Sequence, residues 1–315
     1  MRGFLPISLF AVALMFCLVR GVCADDGNAS ISTTATSGLF PAYFLEMPDS
    51  VGDILIADTA SATLRRFGRS GNGIVEKDQR YMSIGVNGTG KQRAWDRKTP
   101  LGIYFITASI DTTRLHEKYG VAAYALDYPN AWDRFKDRTG NGIWLHGVDR
   151  RNPARPPRDT DGCLALPNEE IRLLKSVLEP HVTPVIVARN VSWVSEDELR
   201  KTRLEFREAL DTWKNSLASG DLQTYLSLYA ADFRPGDLDR DEWTSNQARL
   251  FESGLIDGVM IDDVMLLADP EEPGLYLSRF TQFLLTGTGP ETSTRRLYWR
   301  RTDERRWEIV SDDIG

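Results

Sequence analysis

Between residues 51 and 189 the apolar residues come in short runs, each cut off within a few positions by glycine, proline, asparagine or aspartate. That punctuation leaves room for little besides short strands. Ile54-Leu55-Ile56 centres a strand over Asp53–Thr59, and Thr63–Phe67 is its hairpin partner across Ala60-Ser61-Ala62. Further runs follow at Tyr81–Val86, Gly102–Ala108, Gly142–Leu145 and Pro184–Ala188. One helical pattern interrupts them, over Asn168–Leu178: Asn168 is the expected N-cap, Glu169 and Glu170 fill the first turn, and Ile171, Leu174 and Leu178 share a face. Residues 49–192 therefore read as a mostly β domain.

The pattern changes near residue 195, where Ser195-Glu196-Asp197-Glu198 makes a linker and helix start. Phe206, Leu210, Trp213 and Leu217 recur at helical spacing and Gly220 can end that helix in the left-handed conformation. Asp221 then caps a second helix carrying Leu222, Tyr225, Leu226 and Tyr229. After Pro235 the chain reads as strands: Leu255–Leu267, Leu275–Leu285, and a hairpin of Arg296–Arg301 with Arg306–Ser311. Helices first and an antiparallel sheet after make residues 196–315 an α+β domain.

Residues 1–24 read as a secretory signal: Arg2, an apolar stretch from Phe4 to Val19, then Val22 and Ala24 before a cut ahead of Asp25. Lipidation at Cys23 is the alternative, disfavoured by the branched Val22 before it. Residues 25–48 are assigned to a leader, flexible over the small polar run 25–38. Removing the signal takes away Arg2, Arg20 and no acid, so the formal net charge passes from −7 to −9. The expected product is an exported, periplasmic protein with no stable membrane insertion. With no basic stripe carrying aromatics, nucleic acid is not an expected partner.

Cleavage also removes Cys17 and Cys23, leaving Cys163 alone. A lone thiol in an oxidising compartment cannot close an internal disulfide, and Thr160-Asp161-Gly162-Cys163 has the turn chemistry of a loop end rather than a core strand. His146 is the candidate partner, able to take a thiol proton and return it. Gly162 lets a carbonyl approach the backbone, where N–H groups near Gly162 and Cys163 would receive an oxyanion. Thr160 is placed to orient substrate or histidine through its hydroxyl. His116 and His181 read as surface and loop residues. Zinc lacks paired CxxC or HxxxH spacing, so no metal and no cofactor is expected.

Four blocks in order carry a resemblance: Gly88-Thr89-Gly90-Lys91 leading to Lys98–Tyr104; Tyr128-Pro129-Asn130 through Thr139–Leu145; His146-Gly147; and Thr160-Asp161-Gly162-Cys163. Over residues 51–189 the chain resembles the L,D-transpeptidase family of the YkuD type. The resemblance implies a β-sandwich with few helices whose cysteine acts on peptidoglycan stem peptides. By that analogy Cys163 forms a thioester with the diaminopimelate carbonyl, releasing D-alanine, and His146 is base and then acid. Transfer to an amine would give an L,D cross-link or exchange. Transfer to water would trim tetrapeptide to tripeptide or cut a protein–peptidoglycan linkage, and a non-catalytic wall-binding protein is the reading of another class.

Many family members carry an arginine two positions after the cysteine, where this chain has Ala165. Gly147, Arg150, Arg151, Arg155 and Arg158 are therefore the candidate substrate-binding residues, the arginines for a carboxylate. Residues 200–315 are similar to the nuclear-transport-factor-like fold, a curved sheet capped by helices. The pairing of the two domains resembles periplasmic L,D-carboxypeptidases of curved and helical bacteria.

Overall fold

The computed structural model describes residues 38–70, 73–236, 238–254, 256–287 and 289–314. The expected signal peptide and residues 25–37 of the leader lie outside them.

The strands are β1 (Leu39–Pro41), β2 (Phe44–Glu46), β3 (Asp53–Asp58), β4 (Thr63–Ser70), β5 (Gly73–Tyr81), β6 (Ile84–Gly85), β7 (Gly102–Ile110), β8 (Ala123–Leu126), β9 (Trp144–His146), β10 (Arg158–Thr160), β11 (Leu164–Ala165), β12 (Pro184–Ala188) and β13 (Trp193–Ser195). Eight of them build one mixed sheet in the order β5-β4-β3-β12-β7-β8-β9-β11, and β6 and β10 form a separate parallel pair. Alternation along the central strands explains why they are apolar throughout rather than at every second position. Leu55, Ala57, Tyr104, Ile106, Val185 and Val187 enter one core, while Ile54, Ile56, Ile103, Phe105, Ile186 and Ala188 enter another on the opposite face.

The second face is covered by the short helix α1 (Ala131–Phe135), which lays Ala131 and Trp132 into its core, and by the C-terminal part of the chain. Helix α3 (Glu196–Ser219) starts in a capping box between Ser195 and Glu198 and ends at Gly220, whose φ of 71° is the left-handed cap read from the sequence. Asp221 caps α4 (Leu222–Ser227) through its side chain. A six-stranded sheet follows, ordered β2-β15-β16-β17-β18-β14, from β14 (Tyr229–Arg234), β15 (Ile256–Ala268), β16 (Leu275–Thr286), β17 (Gly289–Arg301) and β18 (Trp307–Ile314). Its outer face packs Leu266, Phe280, Leu297, Trp299 and Ile309 against Phe206, Leu210, Trp213 and Tyr225 of the helices. Its inner face gives Met265, Leu267, Leu277, Tyr298 and Val310 to the core beneath the first sheet. The two sheets thus share one apolar layer, tied at its edge by Arg296 to Asp127 (2.7 Å) and Arg138 to Glu272 (3.3 Å).

Three expectations are corrected. Residues 39–46, assigned to the leader, are folded: β1 pairs with β13, β2 is an edge strand beside β15, and Tyr43, Phe44 and Leu45 are buried. After Pro235 the chain is not all strand, because helix α5 (Arg240–Glu252) precedes β15 and lays Trp243 into the core. Helix α2 runs only over Asn168–Leu173, with Pro167 at the cap position and no side-chain cap. Asn168 does something else, described below.

Candidate active site

His146 ends β9 and Cys163 immediately precedes β11, and these strands are parallel neighbours with Leu164 opposite Leu145 and Ala165 opposite His146. Leu145 and Leu164 are fully buried in the first core. The pleat then turns His146 and Cys163, one step away on each strand, to the other side of the sheet together. The seventeen residues between the two strands, β10 among them, are the connection that this parallel pairing needs.

The turn before the cysteine is closed by Thr160. Its hydroxyl donates to the Cys163 carbonyl at 2.8 Å and accepts from the Gly162 N–H at 3.1 Å. Thr160 thus positions the cysteine's own backbone rather than the histidine. It also occupies the Gly162 N–H, which is therefore not free for the oxyanion expected from the sequence. Gly162 has φ of 125°, and a Cβ there would stand 2.7 Å from the Lys98 carbonyl oxygen, so both conformation and space require glycine.

His146 is held from behind. Its Nδ1 lies 2.5 Å from the Gly147 carbonyl, which can only accept, so Nδ1 carries the proton and Nε2 keeps its lone pair. The strand end is fixed by Asn168: Oδ1 accepts from the Val121 and Val148 N–H groups at 3.2 and 3.1 Å, and Nδ2 donates to the Val148 carbonyl at 2.8 Å. Gly147 and Gly120 leave room for that amide, since a Cβ on either would overlap Asn168 Oδ1. Tyr119 meets the His146 ring edge-on, with centroids 5.1 Å apart.

Cys163 is 8 % exposed and His146 3 %. Burial pushes the thiol up to about 11, opposed by the Trp144 backbone N–H and by the positive charges of Lys118 and Arg155, while Asp161 adds to the rise. Burial likewise pushes the imidazole down to about 4, helped by Arg155 and Lys118 and opposed by its bond to Gly147. Both groups are therefore neutral around neutral pH. The thiol rests on the Gly142 carbonyl at 3.5 Å.

The four candidate arginines separate. Arg155 is mostly buried, donates to the Asp159 carbonyl at 2.9 Å, and is the one whose charge reaches both His146 and Cys163. Arg151 is an exposed partner of Glu117 and Asp149, Arg150 is exposed, and Arg158 is exposed in β10 beside Gly88. Lys118, not singled out from the sequence, joins Arg155: its Nζ is 3.5 Å from Asp161 Oδ2, and Arg97 holds Oδ1 of the same carboxylate at 3.0 Å. His116 is exposed and caps a short turn, and His181 is an exposed loop residue. A cavity of about 240 Å³ between Phe44, Met47, Ile74 and Leu199 contains neither Cys163 nor His146.

Comparison with known proteins agrees with this arrangement. Residues 52–187 match the L,D-transpeptidase catalytic domain, YkuD, and residues 205–313 match the Cds6 C-terminal NTF2-like domain. Among solved structures, Bdellovibrio bacteriovorus Bd1075 is similar at a TM-score of 0.73 and 22 % identity, covering 88 % of this chain and 98 % of that one. The helical cell shape determining protein Pgp2 of Campylobacter jejuni gives a TM-score of 0.70 at 22 % identity, covering 83 % of this chain and 91 % of its own. A search of curated proteins gives no match. The chain thus carries a YkuD-type L,D-transpeptidase catalytic domain, a domain of peptidoglycan-modifying cysteine enzymes, joined to a C-terminal NTF2-like domain.

Proposed function

We propose that the protein is an exported cysteine acyltransferase of peptidoglycan stem peptides that passes the acyl group to water, shortening a tetrapeptide to a tripeptide. The observation that carries the chemistry is the placement of Cys163 and His146 on one side of adjacent parallel strands, with the histidine tautomer set by Gly147. As substrate enters, the thiol swings from the Gly142 carbonyl, and Sγ attacks the carbonyl of the third stem residue while Nε2 of His146 takes the thiol proton. Because thiol and imidazole start neutral, proton transfer accompanies attack rather than preceding it. The C–N bond to the terminal D-alanine breaks, the imidazolium protonates the leaving amine, and a thioester remains. Water then attacks with His146 again as base, and the thiol is restored. Lys118 and Arg155 favour the developing thiolate and offer positive charge to a substrate carboxylate in place of the arginine missing at position 165.

Water as acceptor is supported by the pairing of domains, which resembles that of periplasmic L,D-carboxypeptidases; Bd1075 and Pgp2, a cell shape determining protein, share the two-domain fold. Transfer to an amine of a second stem is the other reading, favoured by the catalytic domain's own family. Mass spectrometry of a disaccharide-tetrapeptide incubated with mature protein, beside Cys163→Ala, tests both. Tripeptide and free D-alanine alone establish the hydrolase; cross-linked dimers or exchange of the terminal residue replace it with transpeptidation; no Cys163-dependent product overturns the cysteine chemistry.

A further inference from the structure

Trp95 is 94 % exposed, on a turn that is otherwise tightly held. The Asp96 carboxylate accepts from Lys91 Nζ (2.7 Å) and from the N–H groups of Gln92, Arg93 and Lys98 at 2.8 to 3.1 Å. Burial would raise that carboxyl, but these bonds outweigh it and hold it at about 2. Trp95 and Arg97, on either side, both have positive φ, 65° and 57°. The turn also docks on Thr139, whose hydroxyl accepts from the Ala94 N–H, and on Gly140, where a Cβ would press on Ala94. A left-handed, non-glycine backbone so firmly fixed, carrying a tryptophan in water with no ring, cation or hydrogen-bond partner among the described residues, is a device for presenting the indole.

Its position says what to. Two residues on, Arg97 grips Asp161, and the Lys98 carbonyl lies against Gly162, so the turn is braced on the cysteine's own turn. Lys98 is three residue steps from Trp95, a span of at most about 11 Å. On the reading given above, the attacked carbonyl belongs to the third stem residue, and three extended residues likewise place the sugar bearing the stem about 11 Å away. One residue before Trp95 in the chain, Ala94 joins Gln92, Arg93, Asp137 and Thr139 in lining an open cleft of about 620 Å³, and Asp137 is paired at 3.0 Å with Arg234 of β14. An exposed indole on the same turn as such donors and acceptors suits a pyranose ring, with apolar C–H faces and a rim of hydroxyls. We propose that Trp95 is the stacking platform for the glycan that carries the stem peptide, with the Gln92–Asp137 cleft leading the saccharide chain toward the C-terminal domain. This rests on the peptidoglycan reading.

The test compares disaccharide-tetrapeptide with sugar-free tetrapeptide, using the full mature chain. Trp95→Ala should raise KM for the disaccharide substrate roughly tenfold with kcat kept, and leave the sugar-free substrate unchanged, while Trp95→Tyr restores most of the loss. Trp95→Asn, which tolerates the left-handed backbone, should behave as the alanine variant does. Equal handling of both substrates by parent and variants, or an equal loss on both, overturns the platform. Should the parent turn over neither substrate, the enzymatic reading fails, and the platform is then decided by titrating chitotetraose against the indole N–H resonance of Trp95. A saturable shift of that resonance, with the other indole resonances unmoved, supports it; an unmoved Trp95 resonance overturns it.

Discussion

Two buried polar clusters, one in each domain, are enclosed in opposite ways. In the catalytic domain His146 and Cys163 are enclosed as neutral groups, each resting on a single backbone carbonyl, Gly147 or Gly142. In the C-terminal domain Arg295 and Asp312 are enclosed as an ion pair, with Gln282 as a second acceptor for the guanidinium. The ring of Trp213 lies 5.5 Å from that guanidinium and sends its N–H to Tyr229, which in turn donates to Tyr225. A charge in a dry core must be paired and stays where its partner is. A neutral thiol held only by weak bonds can leave its resting place at little cost. Reactive burial and structural burial therefore differ in whether the enclosed group carries a charge that a partner must hold.

The contrast can be broken most severely at the reactive end. Cys163→Ala should remove all turnover while leaving the melting temperature near that of the parent, since a small, nearly neutral side chain is lost; detectable turnover in a tripeptide-release assay would refute the nucleophile. At the structural end, Arg295→Met should cost about 3–5 kcal/mol in denaturant melts by stranding Asp312, and the double variant with Asp312→Leu should recover much of it. Additive losses would show that the pair is not a unit. Gly162→Ala should lower kcat/KM roughly 100-fold by pushing the cysteine turn off the Lys98 carbonyl, with a smaller effect on stability. Unchanged kinetics would mean that the turn does not set the thiol's position.

Two gentler measurements sharpen the comparison. With its thiol raised to about 11, Cys163 at pH 7 should react with iodoacetamide about 100-fold more slowly than an exposed cysteine. Labelling at the ordinary rate would reveal a preformed thiolate. Activity should hold down to acid pH and fall only as His146 takes a proton near 4, because the imidazole must be neutral to act as base. A limb at the ordinary histidine value would place the ring in water.

Much of the site was legible because its signals are local. His146-Gly147 and Thr160-x-Gly162-Cys163 are short patterns whose residues act on near neighbours, as the Thr160 hydroxyl does on Gly162 and Cys163. The strand runs and the α3 caps were legible for the same reason. What escaped depends on distance along the chain. Asn168 looks like an N-cap until its amide is seen bridging residues 121 and 148. Lys118 acts on a pair that lies 28 and 45 residues further on. Helix α5 has almost no apolar stripe, only Trp243 being buried, so periodicity could not find it. Strands β1 and β2 are three residues each and find their partners at residues 193–195 and 266–267.

The layer shared by the two sheets bears on how such a protein can be inherited and dismantled. A stop codon or protease cut just after residue 195 would not release a smaller enzyme: it would bare Ile54, Ile56, Ile103, Phe105 and Ile186 along one wall and strip β2 of β15, the strand it pairs with. The fragment would be an aggregation hazard, so the halves can be lost or exchanged only together, and improvements in one have to be compatible with the surface of the other.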